Sequence, residues 1–254
     1  MINAPYRAAL VTGAGRRIGR AIALDLAAEG IAVAVHYHGS AKAADAVVAE
    51  ICAAGGHAAS VGADFQNLDA IKSAIMNADT ALGIPIDILV NNASVFENDT
   101  LENFTADSWE KHHQVNLLAP LMLMQTFAAG LARGKTGAVI NMIDQRVLKL
   151  NPQYFSYTMA KAGLLTATKT AAQAFAPNIR VNAIGPGPTL ANSEQTQTEF
   201  EEEAAAVPLG TGPALTEITR AVRFLLETSS MTGQMIALDG GQHLAWRTKD
   251  ILED

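Results

Sequence analysis

The chain has 254 residues, 49% of them hydrophobic and 17% charged, enough apolar material for one large core or two small ones. A formal net charge of −7 argues against a general nucleic-acid binder and leaves room for a local basic pocket around an anion. The lone cysteine, Cys52, excludes an internal disulfide and reads as a packing residue. With neither a signal-like start nor a long apolar span, the chain is expected to be soluble and cytoplasmic, with no membrane partner. No linker, repeat or break in composition divides it, so residues 1–254 are expected to form a single domain.

The first apolar run, 8–11, leads into the turn Thr12-Gly13-Ala14-Gly15-Arg16-Arg17-Ile18-Gly19, and apolar residues then recur at helical spacing over 17–29, ending at Gly30. Further strands are expected at 31–37, 57–61, 86–90, 138–142, 179–184 and 235–238. Strands that alternate with helical patterns predict an α/β fold of the Rossmann type: a doubly wound, seven-stranded parallel sheet with helices on both faces. Ligands of such sheets bind outside the carboxyl ends of the strands, where the strand order reverses. Gly13 permits a tight reversal there, Gly19 lets the helix approach the sheet, and the helix start attracts a pyrophosphate.

At the end of the second strand stands His36-Tyr37-His38-Gly39-Ser40, without the carboxylate that would hold a ribose 2′-hydroxyl. Arg16, His38, Ser40 and Lys42 instead offer charge and hydrogen bonds to a 2′-phosphate, which favours NADPH. His36 and His38 have the i, i+2 spacing of a metal pair, but no third ligand is near in the sequence, and no metal is expected. His112 and His113 read as helix-surface or core histidines, and Glu201-Glu202-Glu203 as a solvated helix face. The polar segment 188–208 after the sixth strand predicts a mobile substrate lid.

Tyr157 and Lys161 are four residues apart, one above the other on a helix. The ammonium is expected to favour the phenolate and lower the Tyr157 pKa toward working pH, as a reversible proton donor requires.

Together these residues resemble the short-chain dehydrogenase/reductase family over nearly the whole chain. Asn91-Asn92-Ala93-Ser94 is similar to its stabilising motif after the fourth strand, Tyr157-Thr158-Met159-Ala160-Lys161 to its catalytic signature, and Gly185-Pro186-Gly187 to its turn beside the nicotinamide. The resemblance implies that Asp64, with Phe65, meets the adenine, and that Gly13, Ile18, Gly19, Tyr37, Asn92, Ala93 and Pro186 line the cofactor site. It further implies that Thr189 meets the carboxamide or a phosphate, that Lys161 holds the nicotinamide ribose, and that Asn116 supports a water chain to Tyr157. The family is usually a dimer or tetramer; a homotetramer is expected here, with the apolar stretch 117–127 fitting an interface helix as well as a core one. The C-terminal segment 240–246 is expected to reach a neighbour's active site.

Two departures narrow the resemblance. Arg17 replaces a usual glycine, and Asp144 stands where a serine is usual, thirteen positions before Tyr157. With Asn92-Ala93-Ser94-Val95-Phe96 they resemble the pteridine reductase branch. That implies a pterin stacked on Phe96 and hydrogen-bonded to Ser94, with Arg17 facing substrate and cofactor phosphate. Gly39 replaces the arginine of that branch and removes one contact to the 2′-phosphate. An ionised Asp144 only accepts hydrogen bonds and would repel the oxyanion of a reduced ketone. A carboxyl buried enough to stay protonated would instead give a proton to a ring nitrogen, in concert with Tyr157. The competing readings are a carbonyl or 3-oxoacyl reductase, an enoyl reductase using Tyr154, seven residues before Lys161, and a non-catalytic NADP-binding sensor.

Overall fold

A computed structural model describes residues 5–191 and 195–246. The strands are β1 (Ala8–Val11), β2 (Ala32–Tyr37), β3 (Ala58–Gly62), β4 (Ile88–Asn91), β5 (Gly137–Met142), β6 (Ile179–Pro186) and β7 (Met235–Leu238). All pair in parallel in one sheet of order β3-β2-β1-β4-β5-β6-β7. The helices described are α1 (Arg17–Ala28), α2 (Ala41–Ala53), α3 (Leu68–Leu82), α4 (Ala106–His113), α5 (Ala119–Gly130), α6 (Phe155–Phe175), α7 (Gln197–Ala205) and α8 (Leu215–Glu227).

Side chains alternate across a strand, so β1 feeds two cores. Ala8 and Leu10 pack with Ile71 of α3, Leu123 and Phe127 of α5, and Leu164 of α6. Ala9 and Val11 pack with Ile22 and Leu26 of α1, Val47 and Ile51 of α2, and Leu225 of α8. Helices on both faces are why the strands read as continuous apolar runs. The chain runs from β1 to β2 on one side and returns to β4 on the other, so the strand order reverses between β1 and β4. The site crevice is expected there.

Polar side chains set where elements begin and end. Ile86 and Asp87, expected in the fourth strand, precede its ladder: the Asp87 carboxylate accepts the N–H groups of Arg7 and Ala8, and Ile86 N–H donates to Asp79 Oδ1 at 2.7 Å. Arg180 of β6 donates to the carbonyls of Leu225, Leu226, Thr228 and Met231, satisfying the C-terminal end of α8 with one guanidinium. A π-helical turn, Gln114–Leu118, joins α4 to α5 and carries Asn116; such turns concentrate at functional sites.

Cys52 is exposed, contrary to its expected packing role. The buried stripe of α2 is Ala44, Val47 and Ile51, at helical spacing, and residue 52 lies a further 100° around the helix. The stretch 117–127 divides its faces: Leu123, Met124 and Phe127 are buried, whereas Leu118 and Leu121 are 37% and 36% exposed. In the expected lid, α7 starts with a capping box between Thr196 and Glu199. Glu201 and Glu202 face solvent as expected, but Glu203 turns toward the cavity described below and accepts from Gln195 Nε2 at 2.7 Å. Residues 192–194 of that segment lie outside the described residues.

Candidate active site

A cavity of about 800 Å³ opens at the carboxyl ends of the central strands, between the glycine turn and the segment after β6. Gly13 has φ +62°, and a Cβ on Gly19 would stand 2.4 Å from Gly13 O and 2.5 Å from Asn92 Nδ2, so no larger residue fits at 19. The turn is bolted to β4: Thr12 Oγ1 accepts from Asn92 N at 2.8 Å and Ala93 N at 2.9 Å, and Asn92 Nδ2 donates to Thr12 O at 2.8 Å. It is also bolted to β2. Gly13 N–H donates to His36 Nδ1 at 3.0 Å, which leaves Nε2–H to donate to Ala63 O at 3.0 Å. Burial pushes the His36 pKa down to about 4, and Phe65 stacks on the ring with centroids 4.2 Å apart. Both ring nitrogens are thus engaged, and His36 is a structural support of the turn.

Arg17 occupies the left-handed region at φ 53°, where its side chain is rare. Its guanidinium donates to Leu190 O at 3.1 Å and to Ala191 O, tying the turn to the segment after β6. His38 Nδ1 lies 3.4 Å from Asp64 Oδ1, a pair that brings a carboxylate to the end of β2 although none stands there in the sequence.

Asp144 follows β5. Its Oδ1 accepts from Arg146 N at 2.8 Å and its Oδ2 accepts the Tyr157 hydroxyl at 2.9 Å. Lys161 is 2% exposed, donates to Met142 O at 2.8 Å, and stands 5.6 Å from the Tyr157 ring centre. Burial raises the Asp144 pKa, and the Arg146 N–H and guanidinium only partly oppose it. Burial lowers Lys161 to about 8, against the pull of Asp144.

The expected lowering of Tyr157 is corrected: its pKa is raised well above 10, by burial first and then by the charge and hydrogen bond of Asp144. Arg146 and the Ser94 hydroxyl oppose that shift without cancelling it. The carboxyl therefore governs the phenol more than the ammonium does.

Phe96 forms one wall. Its ring stacks on Tyr154 at 4.2 Å and 9°, and meets Tyr157 edge-on at 4.8 Å and 82°. The loop carrying it is held from several sides. Asn116 exchanges two hydrogen bonds with the Val95 backbone, each 2.8 Å, Glu97 N–H donates to buried His112 Nε2 at 3.2 Å, and Asp99 accepts from Ser108 and Ser156. His112, expected on the surface or in the core, is a core residue with this local task; His113 packs on Trp109.

The cavity wall gathers Gly13, Arg16, Arg17, Ile18, Gly19, His38, Asp64, Phe65, Asn92, Ala93, Ser94, Phe96, Asp144, Tyr157, Lys161, Pro186, Gly187 and Thr189. Tyr37, Ser40 and Asn116 are outside it: Tyr37 packs on Gly62, Ser40 precedes α2, and Asn116 is enclosed behind Val95. Thr189 Oγ1 donates to Gly187 O at 3.0 Å. Missed from sequence were Arg146, Gln145 and Gln242, which line the same cavity. The place of Arg146 two residues after a strand-end aspartate was the available signal. Gln242 lies in the segment expected to reach a neighbour, and it lines the cavity of its own chain.

Residues 13–243 match the family model described as enoyl-(acyl carrier protein) reductase. The chain is 35% identical to the 3-oxoacyl-[acyl-carrier-protein] reductase FabG of Staphylococcus aureus, over 94% of this chain and 98% of that protein. It is similar in structure to FolM alternative dihydrofolate reductase 1 of Brucella canis complexed with NADP, at TM-score 0.94 and 45% identity over 99% of both chains. The Brucella suis protein of the same name, also with NADP, gives TM-score 0.94 and 46% identity over 99% of this chain and 100% of that one. With one parallel seven-stranded sheet, the glycine turn at its switch point, and Tyr157 and Lys161 on one helix, the chain belongs to the short-chain dehydrogenase/reductase family of oxidoreductases.

Proposed function

We propose that the chain is an NADPH-dependent reductase of the ring C=N bond of a pterin, of the dihydropterin, dihydromonapterin or dihydrofolate kind. The observation that carries this reading is the Asp144–Tyr157 hydrogen bond beside Phe96, a protonatable carboxyl where a ketone reductase needs a hydrogen-bond donor. The name of the Brucella structural relatives, alternative dihydrofolate reductase, supports it.

The glycine cradle fits the cofactor: Gly13 and Gly19 leave no Cβ in the way, and the N-terminal turn of α1 offers its N–H groups to a pyrophosphate. Arg16, His38 and Ser40 would take the 2′-phosphate, with Tyr37 beside them. Asp64 and Phe65 would flank the adenine. Ile18, Asn92, Ala93, Pro186, Gly187 and Thr189 would border the remainder, and Lys161 the nicotinamide ribose. When bound, NADPH supplies the hydride.

The chain's own residues handle orientation and the proton. Phe96 offers a face for a flat ring, and Ser94 a hydroxyl at its edge. Asp144, whose carboxyl burial pushes above the ordinary aspartate range, gives its proton to the ring nitrogen and takes one back from solvent at the cavity mouth, while the Tyr157 hydroxyl orients it across the 2.9 Å bond. Arg17 and the segment 188–208 close over the substrate. Asn116 acts by holding Val95, and with it Phe96. Residues 1–254 act as one domain, and the exposed Leu118 and Leu121 are contacts of a homotetramer.

A second reading, a 3-oxoacyl reductase, is favoured by the Staphylococcus relative. NADPH oxidation with a 7,8-dihydropterin, a dihydrofolate and a 3-oxoacyl thioester side by side separates the two. Turnover of the pterins, lost by a hundredfold or so in Asp144→Ser, is expected. Turnover of the thioester alone would replace the first reading with the second.

A further inference from the structure

Arg146 stands in the cavity wall with a task that nothing above assigns. Its backbone is pinned by the bond from its N–H to Asp144 Oδ1, so the residue is fixed beside the proton donor. Its guanidinium lies over the Tyr154 ring at 4.6 Å and reaches to within 5.8 Å of the Phe96 centroid. Tyr154 is itself held at φ 55°, a conformation rare outside glycine, and stacked on Phe96. The three groups thus meet in one corner of the wall, Phe96 stacked on Tyr154 and the guanidinium beside the pair.

The cation faces the cavity half-buried; among the described residues no carboxylate lies within 4.0 Å of it, and Asp144 meets it only through longer-range attraction. Of the other arginines of the wall, Arg17 donates to the backbone carbonyls of Leu190 and Ala191, and Arg16 lies in the glycine turn, where the 2′-phosphate is assigned to it. The ring contact of a guanidinium spends none of its N–H donors, and the N–H fork matches a carboxylate with two hydrogen bonds. A guanidinium already resting against two rings also loses little side-chain entropy on binding.

We propose that Arg146 is a specificity-determining residue that binds a carboxylate carried by the substrate beyond its reduced ring. The Phe96–Tyr154–Arg146 wall then selects pterins with an anionic aryl tail over those with a neutral polyol side chain. This rests on the pterin reductase reading above and names the substrate class of that same site.

The test compares kcat/KM for 7,8-dihydrofolate, whose tail carries carboxylates, with kcat/KM for 7,8-dihydrobiopterin, whose side chain is neutral. It is run on the parent enzyme, Arg146→Gln and Arg146→Lys. The parent should prefer dihydrofolate. The ratio should fall at least tenfold in Arg146→Gln, mainly through a higher KM for dihydrofolate, and less than threefold in Arg146→Lys, which keeps the charge. Raised ionic strength should lower the parent's ratio and leave that of Arg146→Gln flat. A ratio within twofold of the parent in Arg146→Gln, or equal losses in the Gln and Lys variants, would overturn the assignment while leaving pterin reduction intact. A parent that turns over neither pterin would overturn the reading beneath it as well.

Discussion

At the scale of single residues, the site is governed by groups whose protonation the fold has moved. His36 shows the effect on stability. Its pKa falls from an ordinary 6.5 to about 4 because burial disfavours the imidazolium, and the neutral ring accepts from Gly13 and donates to Ala63. Between those two values the unfolded chain binds the extra proton and the folded chain does not. The stabilisation is therefore complete above pH 6.5 and is lost as pH falls toward 4, by about 3 kcal/mol at the limit. Urea unfolding of the parent and of His36→Gln at pH 7 and pH 4.5 should show a steeper loss in the parent; parallel losses would remove His36 from that role. Asp144 moves the other way, up, so its carboxyl stays protonated to higher pH than an ordinary aspartate.

At the scale of elements, the strand-to-helix turn is the part least tolerant of change. Gly19→Ala would gain about 1 kcal/mol in helix propensity, yet its Cβ would press 2.4 Å from Gly13 O and 2.5 Å from Asn92 Nδ2. Backbone on one side and a committed amide on the other cannot yield, so the clash wins. The variant should lose about 1–3 kcal/mol of stability and at least tenfold in NADPH affinity, read by thermal unfolding and by calorimetric titration. Parent-like affinity would mean that the turn opens more easily than its contacts suggest. The end of α8 relies on a single side chain in a comparable way, through the carbonyls gathered by Arg180.

At the scale of the whole molecule, α5 and the π-helical turn before it serve the core with one face and leave Leu118 and Leu121 outward, beside Trp109 in a shallow groove. Three residues apart on one helix face, they suit contact with a second copy of this chain, as the proposed homotetramer requires. Leu121→Arg should shift the mass measured by light scattering from tetramer toward dimer or monomer. An unchanged tetramer would place the interface elsewhere. No described helix is long and apolar enough to cross a membrane.

Much of this molecule was legible in its sequence, because period-2 and period-3.6 patterns and a glycine turn are local properties of the chain. All seven strands were placed to within two residues at their starts, and eighteen of the expected site residues line one cavity. The seat of the substituted acid, Asp144, could be read for the same reason, by its distance from Tyr157. What sequence could not decide were quantities set by neighbours far along the chain. Lys161, four residues away, predicted a lowered Tyr157, but burial and Asp144, thirteen residues away, raised it. The sequence set aside a metal role for His36 but offered no other task for it, and only the fold brought Gly13 and Ala63 to its two nitrogens. Arg146 carried no sequence signal beyond its nearness to Asp144, and only the approach of the Tyr154 and Phe96 rings gave its charge a direction. Periodicity is written in the order of residues; desolvation and pairing depend on what the folded chain packs together.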